Sequence, residues 1–188
     1  MKRALAAAAV ALMSVTGLVA TTTSSASASV AHHPRTSYGY TQVVVAPPVY
    51  DLITSAGITP APLAGATAAP YKGTLAARFP ITKIRLAGLQ IWHSGGISLT
   101  AGSSTISLSD FNIDLLRGRV SGVVDGTVGN VGRVDLFKIK LPDRGGLGLV
   151  RLTLTSTAAG ALNATFGVDA FAENGTFGYA TPRPFARR

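Results

Sequence analysis

The stretch TISLSDFNIDLL, residues 105–116, carries the pattern that decides the fold. Its apolar residues fall on even positions at Ile106 and Leu108 but on odd positions from Phe111 onward. Side chains on a β-strand alternate between the two faces, so a change of parity requires a bulge, a bend or a change of sheet. We therefore predict one long strand over 104–116 that bends where the parity changes.

The same change of parity occurs in KIRLAGLQIW at 83–92 and in RVDLFKIKL at 133–141. Three such changes are typical of long strands that bend over a shared core. The predicted fold class is mainly β: an antiparallel β-sandwich or partly closed barrel with two short α-helices. The predicted strands are 42–46, 72–78, 82–93, 95–101, 104–116, 118–124, 131–141, 148–155 and 175–181.

Two segments interrupt this alternation with the residues that begin and end helices. APPVYDLITSAG at 46–57 has proline at its start and glycine just past its end, which is the usual asymmetry of a helix. TSTAAGALNATFG at 155–167 opens on hydroxyl residues that can cap a helix and closes on glycine. We predict one short helix in each segment.

The N-terminal residues predict export. A short basic head precedes an apolar run over 4–12, and the small residues of ASA at 26–28 fit a signal-peptidase site. Cleavage is predicted after Ala28, with Ala20 as the alternative. The apolar run is shorter than the roughly 20 residues that a membrane span needs. The mature protein is therefore predicted to be secreted or cell-wall associated, without a transmembrane segment.

The rest of the chain predicts a single domain with loose ends. The expected organisation is a signal peptide at 1–28, a flexible leader at 29–41, one β-rich domain at 42–181 and a basic disordered tail at 182–188. The 188 residues include no cysteine, so no disulfide can stabilise the domain outside the cell. Packing and backbone hydrogen bonds must do so instead.

The formal net charge of +9 is concentrated at the two ends of the chain. Charges in flexible tails act by screened, non-specific attraction. We predict that Arg183, Arg187 and Arg188 contact polyanions such as anionic cell-wall polymers, with another surface protein as the alternative partner. No specific nucleic-acid partner is predicted.

Residues for catalysis are not grouped in the sequence. His93 and Ser94 are neighbours, but adjacent residues on a strand point to opposite faces and cannot act as base and nucleophile together. No Gly-x-Ser-x-Gly elbow is present. His32 and His33 lie in the predicted leader, where no preformed metal site is expected. No catalytic residue and no metal site are predicted, and a secreted hydrolase remains the less favoured alternative.

The stretch LQIWHSGGISL at 89–99 is the strongest candidate for a binding site. It contains the only tryptophan, Trp92, beside His93 and just before Gly95 and Gly96. Two interpretations remain open for the histidine: a hydrogen-bonded residue of the core, or a residue that contacts a ligand. In the second case, the two glycines let the backbone approach a flat ring closely.

Several motifs occur in the order found in a group of small exported actinobacterial proteins with no assigned activity, which this chain resembles over about residues 42–181. The motifs are PI at 80–81, IxHSGGIxL at 91–99, LxDFxID at 108–114, GxV at 118–120, GRVxLF at 132–137 and LTxxxxxAxxLNATFG at 152–167. More distantly, the histidine turn followed by leucine-rich strands resembles the HtaA-type haem-uptake surface domains of corynebacteria. That resemblance implies a tyrosine ligand to haem iron supported by a histidine, with Tyr50 and His93 in these positions.

Together these features predict a secreted, non-enzymatic binding or cell-surface-associated domain that needs no cofactor and whose ligand is unknown. The alternative is a haem-binding or haem-uptake protein of the HtaA type, with haem as its cofactor. In either case the candidate ligand-binding residues are Tyr50, Trp92, His93, Gly95 and Gly96.

Overall fold

The computed structural model describes residues 38–127 and 129–186. The predicted signal peptide, most of the predicted leader, Arg187 and Arg188 lie outside the described residues. Within them the chain forms strands β1 to β11 and helices α1 and α2. Their bounds are β1 Gly39–Val45, α1 Pro47–Ser55, β2 Thr59–Pro62, β3 Thr67–Tyr71, β4 Thr74–Arg85, β5 Gln90–His93, β6 Gly96–Ala101, β7 Ser104–Asp114, β8 Arg119–Gly126, β9 Gly132–Lys140, β10 Val150–Leu154, α2 Ser156–Phe166 and β11 Thr176–Pro184.

Eight of the described strands close into an antiparallel barrel. The order around it is β7, β5, β4, β1, β11, β10, β9 and β8, and the pairing of β8 with β7 completes the circle. The remaining strands extend this barrel on one side: β6 pairs with the first half of β7, β2 pairs with β6, and β3 pairs with the first half of β4. The predicted mainly β, antiparallel fold with two short helices is confirmed, and its barrel is fully closed.

The two ends of the barrel differ in what they carry. At one end, here called the helical end, β1 leads into α1 and β10 leads into α2. At the other, here called the loop end, β4, β7 and β9 finish and connections carry the chain into β5, β8 and β10. β1 begins and β11 ends at the loop end as well, where Gly39 pairs with Pro184.

Two of the three parity changes are bulges, as predicted. In β7 the register with β8 shifts between Ser109 and Asn112. In β9 a shift against β8 lets the neighbours Leu136 and Phe137 both point into the core. Each bulge bends its strand around the core, which helps the sheet to curl into a closed barrel.

The third parity change has a different cause, and the prediction of one strand over 82–93 was wrong. A single 3-10 turn at Leu86–Gly88 reverses the chain, and β4 and β5 form an antiparallel hairpin around it. Leu89 follows in the left-handed region, with φ of 44°. A reversal changes the parity of the buried positions just as a bulge does, so the sequence pattern alone could not separate the two.

Strands β2 and β3 were not predicted, because their sequences TPAP and TAAPY contain proline. Proline cannot donate to a sheet ladder and is therefore confined to edge strands. Both strands are such edges: β2 pairs only with β6, and β3 only with β4.

Pro80 was the reason for predicting two separate strands, 72–78 and 82–93, where the structure has the single strand β4 up to Arg85. It lies between the part of β4 that pairs with β3 and the part that pairs with β5, so its missing N–H interrupts neither of these ladders.

Strands β1 and β11 run past the predicted domain boundaries of 42 and 181. β1 begins at Gly39 and β11 runs to Pro184, and these terminal segments pair with each other. Neither segment has an apolar alternation of its own. Each is held in the sheet by pairing with strands distant in sequence, and the start of β1 also pairs with β4. A local sequence pattern does not reveal such pairing.

Both predicted helices are present, with the expected ends. α1 starts with two prolines and is followed by Gly57 at φ of 67°. At α2, the Thr155 side chain accepts a hydrogen bond from the Ala158 N–H, and Gly167 ends the helix at φ of 64°. No helix among the described residues is both long and apolar enough to cross a membrane.

The tight join between β5 and β6 gives a test of this fold. A Cβ atom at Gly96 would overlap the Leu108 carbonyl oxygen of the neighbouring strand. We expect Gly96→Ala to lower the free energy of unfolding by about 3 kcal/mol through overpacking. Gly160 lies on the exposed side of α2, and a methyl group added there would meet no atom within 4 Å. Gly160→Ala should therefore raise the free energy of unfolding by about 1 kcal/mol. Urea denaturation measures both, and equal effects would contradict the register of β6 on β7.

Candidate functional site

The barrel contains an apolar cavity at its centre. It offers about 70 Å³ to the centres of water-sized molecules, and its walls present only apolar atoms. Strands from all sides of the barrel contribute, with α1 and β2 at the helical end. Residues on its wall include Tyr50, Ala77, Phe79, Leu108, Phe111 and Phe137. The cavity therefore extends from the middle of the barrel towards the helical end.

His93 lies on the wall of this cavity with both ring nitrogens hydrogen-bonded. Its Nδ1 is 3.1 Å from the Phe111 carbonyl oxygen and its Nε2 is 2.7 Å from Thr41 Oγ1. A carbonyl oxygen only accepts, so Nδ1 carries the proton and the Thr41 hydroxyl donates to Nε2. The neutral ring is thereby satisfied at both nitrogens.

Burial keeps His93 uncharged. The side chain is 5% exposed, and desolvation lowers its pKa from 6.5 to about 4, an effect that the bond to Phe111 only partly offsets. The geometry explains why: the one group that favours protonation is a single carbonyl, and no carboxylate takes part in either hydrogen bond. Neutral His93 and Thr41 thus form a closed polar pair in an apolar wall.

The Thr41–His93 pair has the connectivity of a nucleophile and its base, but not the properties. A general base works best when its pKa is near the operating pH, and burial places that of His93 well below neutrality. Thr41 is itself only 2% exposed. The His93 Nδ1 bonds to the Phe111 carbonyl oxygen, whereas in a catalytic triad this nitrogen bonds to a carboxylate that orients the ring and stabilises its charged form. The pair is arranged to hold a neutral histidine rather than to activate an alcohol.

Tyr50 lies on the same cavity wall as His93. It projects from α1 at the helical end and is partly buried. Its hydroxyl makes no hydrogen bond with the described residues, whereas both His93 nitrogens are already occupied. The structure thus brings Tyr50 and His93 to one cavity, without a hydrogen bond between them.

Trp92 is on the opposite face of β5, outside the barrel. The guanidinium of Arg133 lies over its ring, 5.3 Å from the ring centre. Among the residues that the structure describes, the buried indole Nε1 finds no hydrogen-bond partner, and neither does Oδ1 of Asn112, the residue paired with Trp92 on β7. Trp92 therefore does not line the cavity, and its contacts belong to the outer surface.

Gly95 and Gly96 also lie away from the cavity wall. Gly95 has φ of 75°, and a Cβ there would approach the Ala66 nitrogen to 2.8 Å and the Ala64 oxygen to 2.9 Å. At Gly96 the corresponding space is filled by the backbone of β7. The close backbone approach that these glycines permit is made by the protein to itself, which explains their presence without a ligand.

The remaining candidate residues are spread over the surface or lie outside the described part of the chain. Arg183 is exposed near the end of β11, at the loop end. Arg187, Arg188, His32 and His33 lie outside the described residues. Among residues 38–127 and 129–186, no three histidine, aspartate or glutamate side chains are grouped so that they could hold a metal ion.

Thr41 is the site residue that sequence reasoning missed. The predicted flexible leader included it, because no apolar alternation surrounds it. Its 52-residue separation from His93 leaves no local signal for the contact. The only available hint was that a buried histidine needs a partner for each nitrogen, and a hydroxyl is a common one.

The neutral state of His93 gives a pH test. The unfolded chain binds a proton near pH 6.5, whereas the folded chain does so only near pH 4. Stability should therefore be full above pH 6.5 and fall as the pH drops towards 4, with a loss of about 2 kcal/mol between pH 7 and pH 5. Chemical denaturation at the two pH values measures this loss. His93→Gln should abolish most of it, and an unchanged pH dependence in that variant would show that other groups cause it.

Comparisons with known proteins support the fold and go no further. No family model matches the chain, and no curated protein matches it in sequence. Among solved structures, the chain is similar to the haem-binding protein HtaB from Corynebacterium glutamicum, with a TM-score of 0.52 and 10% sequence identity. The similarity covers 74% of this chain and 88% of that protein. At this identity the likeness is one of fold.

Proposed function

We propose that this protein is a secreted, non-enzymatic binding domain that takes a small apolar ligand into the interior of its barrel. The observation that carries the proposal is the apolar cavity at the barrel centre, with α1 and β2 beside it at the helical end. Well-packed cores leave few voids larger than a water molecule. A single water needs roughly 10–15 Å³ of the same kind of space, so this cavity is several times larger than such a void.

The chemistry of the wall supports an apolar rather than a polar ligand. Thr41 and His93 are its hydrogen-bonding core residues, and they satisfy each other and the Phe111 carbonyl. A polar ligand would lose its hydrogen bonds to water on entry and find no free partner there, which is costly. An apolar ligand loses nothing comparable and gains contact with the aromatic and aliphatic side chains. A ligand of one or two rings, or a short acyl chain, suits the size.

We base the proposed lack of enzymatic activity on the same two residues, His93 and Thr41. His93 is too weak a base at neutral pH, and the hydroxyl beside it is buried. Export is proposed from the predicted signal peptide at 1–28, which lies outside the described residues. Mass measurement of the protein recovered from the medium of an exporting host tests it, with a chain that begins at Ser29 as the expected form.

A neutral fluorophore tests the cavity. We expect 1-naphthylamine to bind saturably, with a blue-shifted emission as it leaves water. Ala77 lines the cavity, so Ala77→Leu should fill part of it and weaken binding at least tenfold, equivalent to about 1.4 kcal/mol. Ala69→Leu, at an exposed position on β3, is the matched control and should bind like the unmodified protein. Far-UV circular dichroism checks that both variants fold. Equal binding by both would place the dye elsewhere and sink the proposal.

Haem is a second candidate ligand, favoured by one specific observation: Tyr50, whose hydroxyl makes no hydrogen bond with the described residues, lies beside the cavity at the helical end of a fold similar to that of a haem-binding protein. Tyrosinate is an established ligand of ferric haem. The cavity is too small for a porphyrin, so haem would have to lie at the helical end beside α1. His93 could support Tyr50 only by giving up Thr41 or Phe111, which sets this candidate below the first.

Hemin titration separates the two candidates. If haem is the ligand, absorbance should show saturable one-to-one binding with a tyrosinate-type spectrum. Tyr50→Phe, which removes only the hydroxyl, should abolish that spectrum, and His93→Ala should weaken binding. Tyr71→Phe, a tyrosine on the outer edge strand β3, is the control and should change nothing. The same weak, non-saturable response in all four proteins would exclude haem and leave the small apolar ligand.

A further inference from the structure

Exposed apolar side chains are concentrated at the loop end of the barrel. Among residues 38–127 and 129–186, nine large hydrophobic side chains are exposed, and eight of them lie at this end. They are Tyr38, Leu86, Leu89, Leu115, Leu116, Leu141, Leu149 and Phe185. The ninth, Val131, lies in the turn between β8 and β9 at the helical end. Exposed apolar side chains concentrated in one place are typical of a surface that binds another molecule or a membrane.

Backbone hydrogen bonds join two pairs of these eight residues, which together are here called the rim. The Leu115 N–H donates to the Leu89 carbonyl at 3.1 Å, which joins the β4–β5 turn to the β7–β8 turn. On the other side of the barrel, the Phe185 N–H donates to the Tyr38 carbonyl at 2.6 Å. The most exposed leucines, Leu86 at 80% and Leu141 at 86%, project from separate connections. The rim is therefore a set of apolar points, some of them joined by backbone hydrogen bonds.

Positive charge follows the same rim. Eight of the twelve described lysines and arginines lie at or just behind it: Lys83, Arg85, Arg117, Arg119, Lys140, Arg144, Arg151 and Arg183. Three carboxylates accompany them, Asp114, Asp143 and Asp135, the last paired with Arg117 at 3.5 Å, which gives a net charge of +5. The other described residues carry four cations and five carboxylates, a net charge of −1. The domain is thus strongly polarised along the barrel axis.

The order of residues along each connection identifies the partner. Leu86 directly follows Arg85, Leu116 directly precedes Arg117, and Leu141 directly follows Lys140. Each apolar tip thus has a cation as its immediate neighbour in the chain. This is the arrangement that a lipid surface with acidic headgroups requires, because apolar groups enter the acyl boundary while basic groups meet the phosphates. A soluble polyanion would use the cations alone and would leave the leucines in water.

We propose that the loop end docks on acidic phospholipid surfaces, with the leucine tips inserted among the lipids and the surrounding arginines and lysines on the headgroups. The proposal goes beyond the binding function and does not depend on it, since the cavity extends towards the opposite end. In this orientation the helical end, with Tyr50 and α1, faces away from the bilayer. A ligand could then enter or leave while the domain stays on the membrane.

The lack of cysteine makes a local test possible, since any introduced cysteine is labelled uniquely. Leu116→Cys carrying an environment-sensitive nitrobenzoxadiazole dye should brighten and shift to the blue on phosphatidylcholine vesicles that contain phosphatidylglycerol. It should respond at least tenfold less to phosphatidylcholine alone, and the response should fall at high salt. The same dye on Val131→Cys, at the helical end, should not respond. Lipid contacts of residues 1–37 would not depend on the leucines and cations of the rim, so substitutions in the rim separate the two.

Two sets of substitutions in the Leu116-labelled protein separate the apolar and the basic contributions. Leu86→Ser, and separately Arg85→Glu with Arg117→Glu, should each raise the lipid concentration for half-maximal response at least tenfold. Lys72→Glu, a cation at the helical end, should have little effect. All these side chains are exposed, so folding should be preserved, and far-UV circular dichroism confirms it.

Three results with vesicles would each overturn the proposal: no dye response to any vesicle, equal response at positions 116 and 131, or equal response to neutral and acidic vesicles. A full response to heparin without lipid would also overturn it and would assign the rim to soluble polyanions. Loss of 1-naphthylamine binding with normal vesicle docking would leave this proposal intact, so its failure is distinguishable from that of the cavity.

Discussion

The bulge in β7 is the constraint on which the barrel and its interior depend. β7 pairs with β6 up to Ser109 and with β5 from Asn112 onward, and its register against β8 shifts over the same residues. Asp110 adopts φ of 49° there, and the side chain of Arg133 donates to its carbonyl at 2.7 Å. Along one edge β7 thus pairs first with β6 and then with β5. Along its other edge it pairs with β8, which closes the barrel.

The bulge also leaves a buried backbone carbonyl that needs a hydrogen-bond donor, and His93 supplies it. Phe111 falls between the paired segments of β7, and its carbonyl points to the core instead of to a neighbouring strand. A buried carbonyl without a partner is costly. The His93 ring supplies the donor, and the Thr41 hydroxyl then satisfies the remaining nitrogen. A histidine in an apolar barrel is therefore explained by the backbone around it, and its low pKa follows from the same burial. Its presence alone is not evidence for a ligand.

Sequence patterns predicted those parts of the fold that depend on local alternation and local capping. The bulges in β7 and β9 change the parity of buried residues within a few positions, and Pro47, Gly57 and Gly167 mark helix ends. The edge strands β2 and β3 were missed because their pairing partners allow proline, a property of position in the sheet. Thr41 was missed because its role is set by a residue 52 positions away. Of the predicted ligand-binding residues, the structure brings only His93 and Tyr50 to the cavity, since Trp92 and the two glycines are placed by sheet neighbours.

Apolar side chains face in opposite directions at the two ends of the barrel: inward at the helical end and outward at the loop end. At the helical end, α1 and β2 border the apolar cavity, and apolar side chains there face inward. At the loop end, leucines face water, although exposed apolar groups lower solubility and nothing in the fold requires them at a turn. Turns with polar residues would support the same barrel. The leucines and the cations beside them are therefore better explained by a surface outside the protein than by the stability of the barrel, whereas the bulge, His93 and Thr41 are explained by the barrel itself.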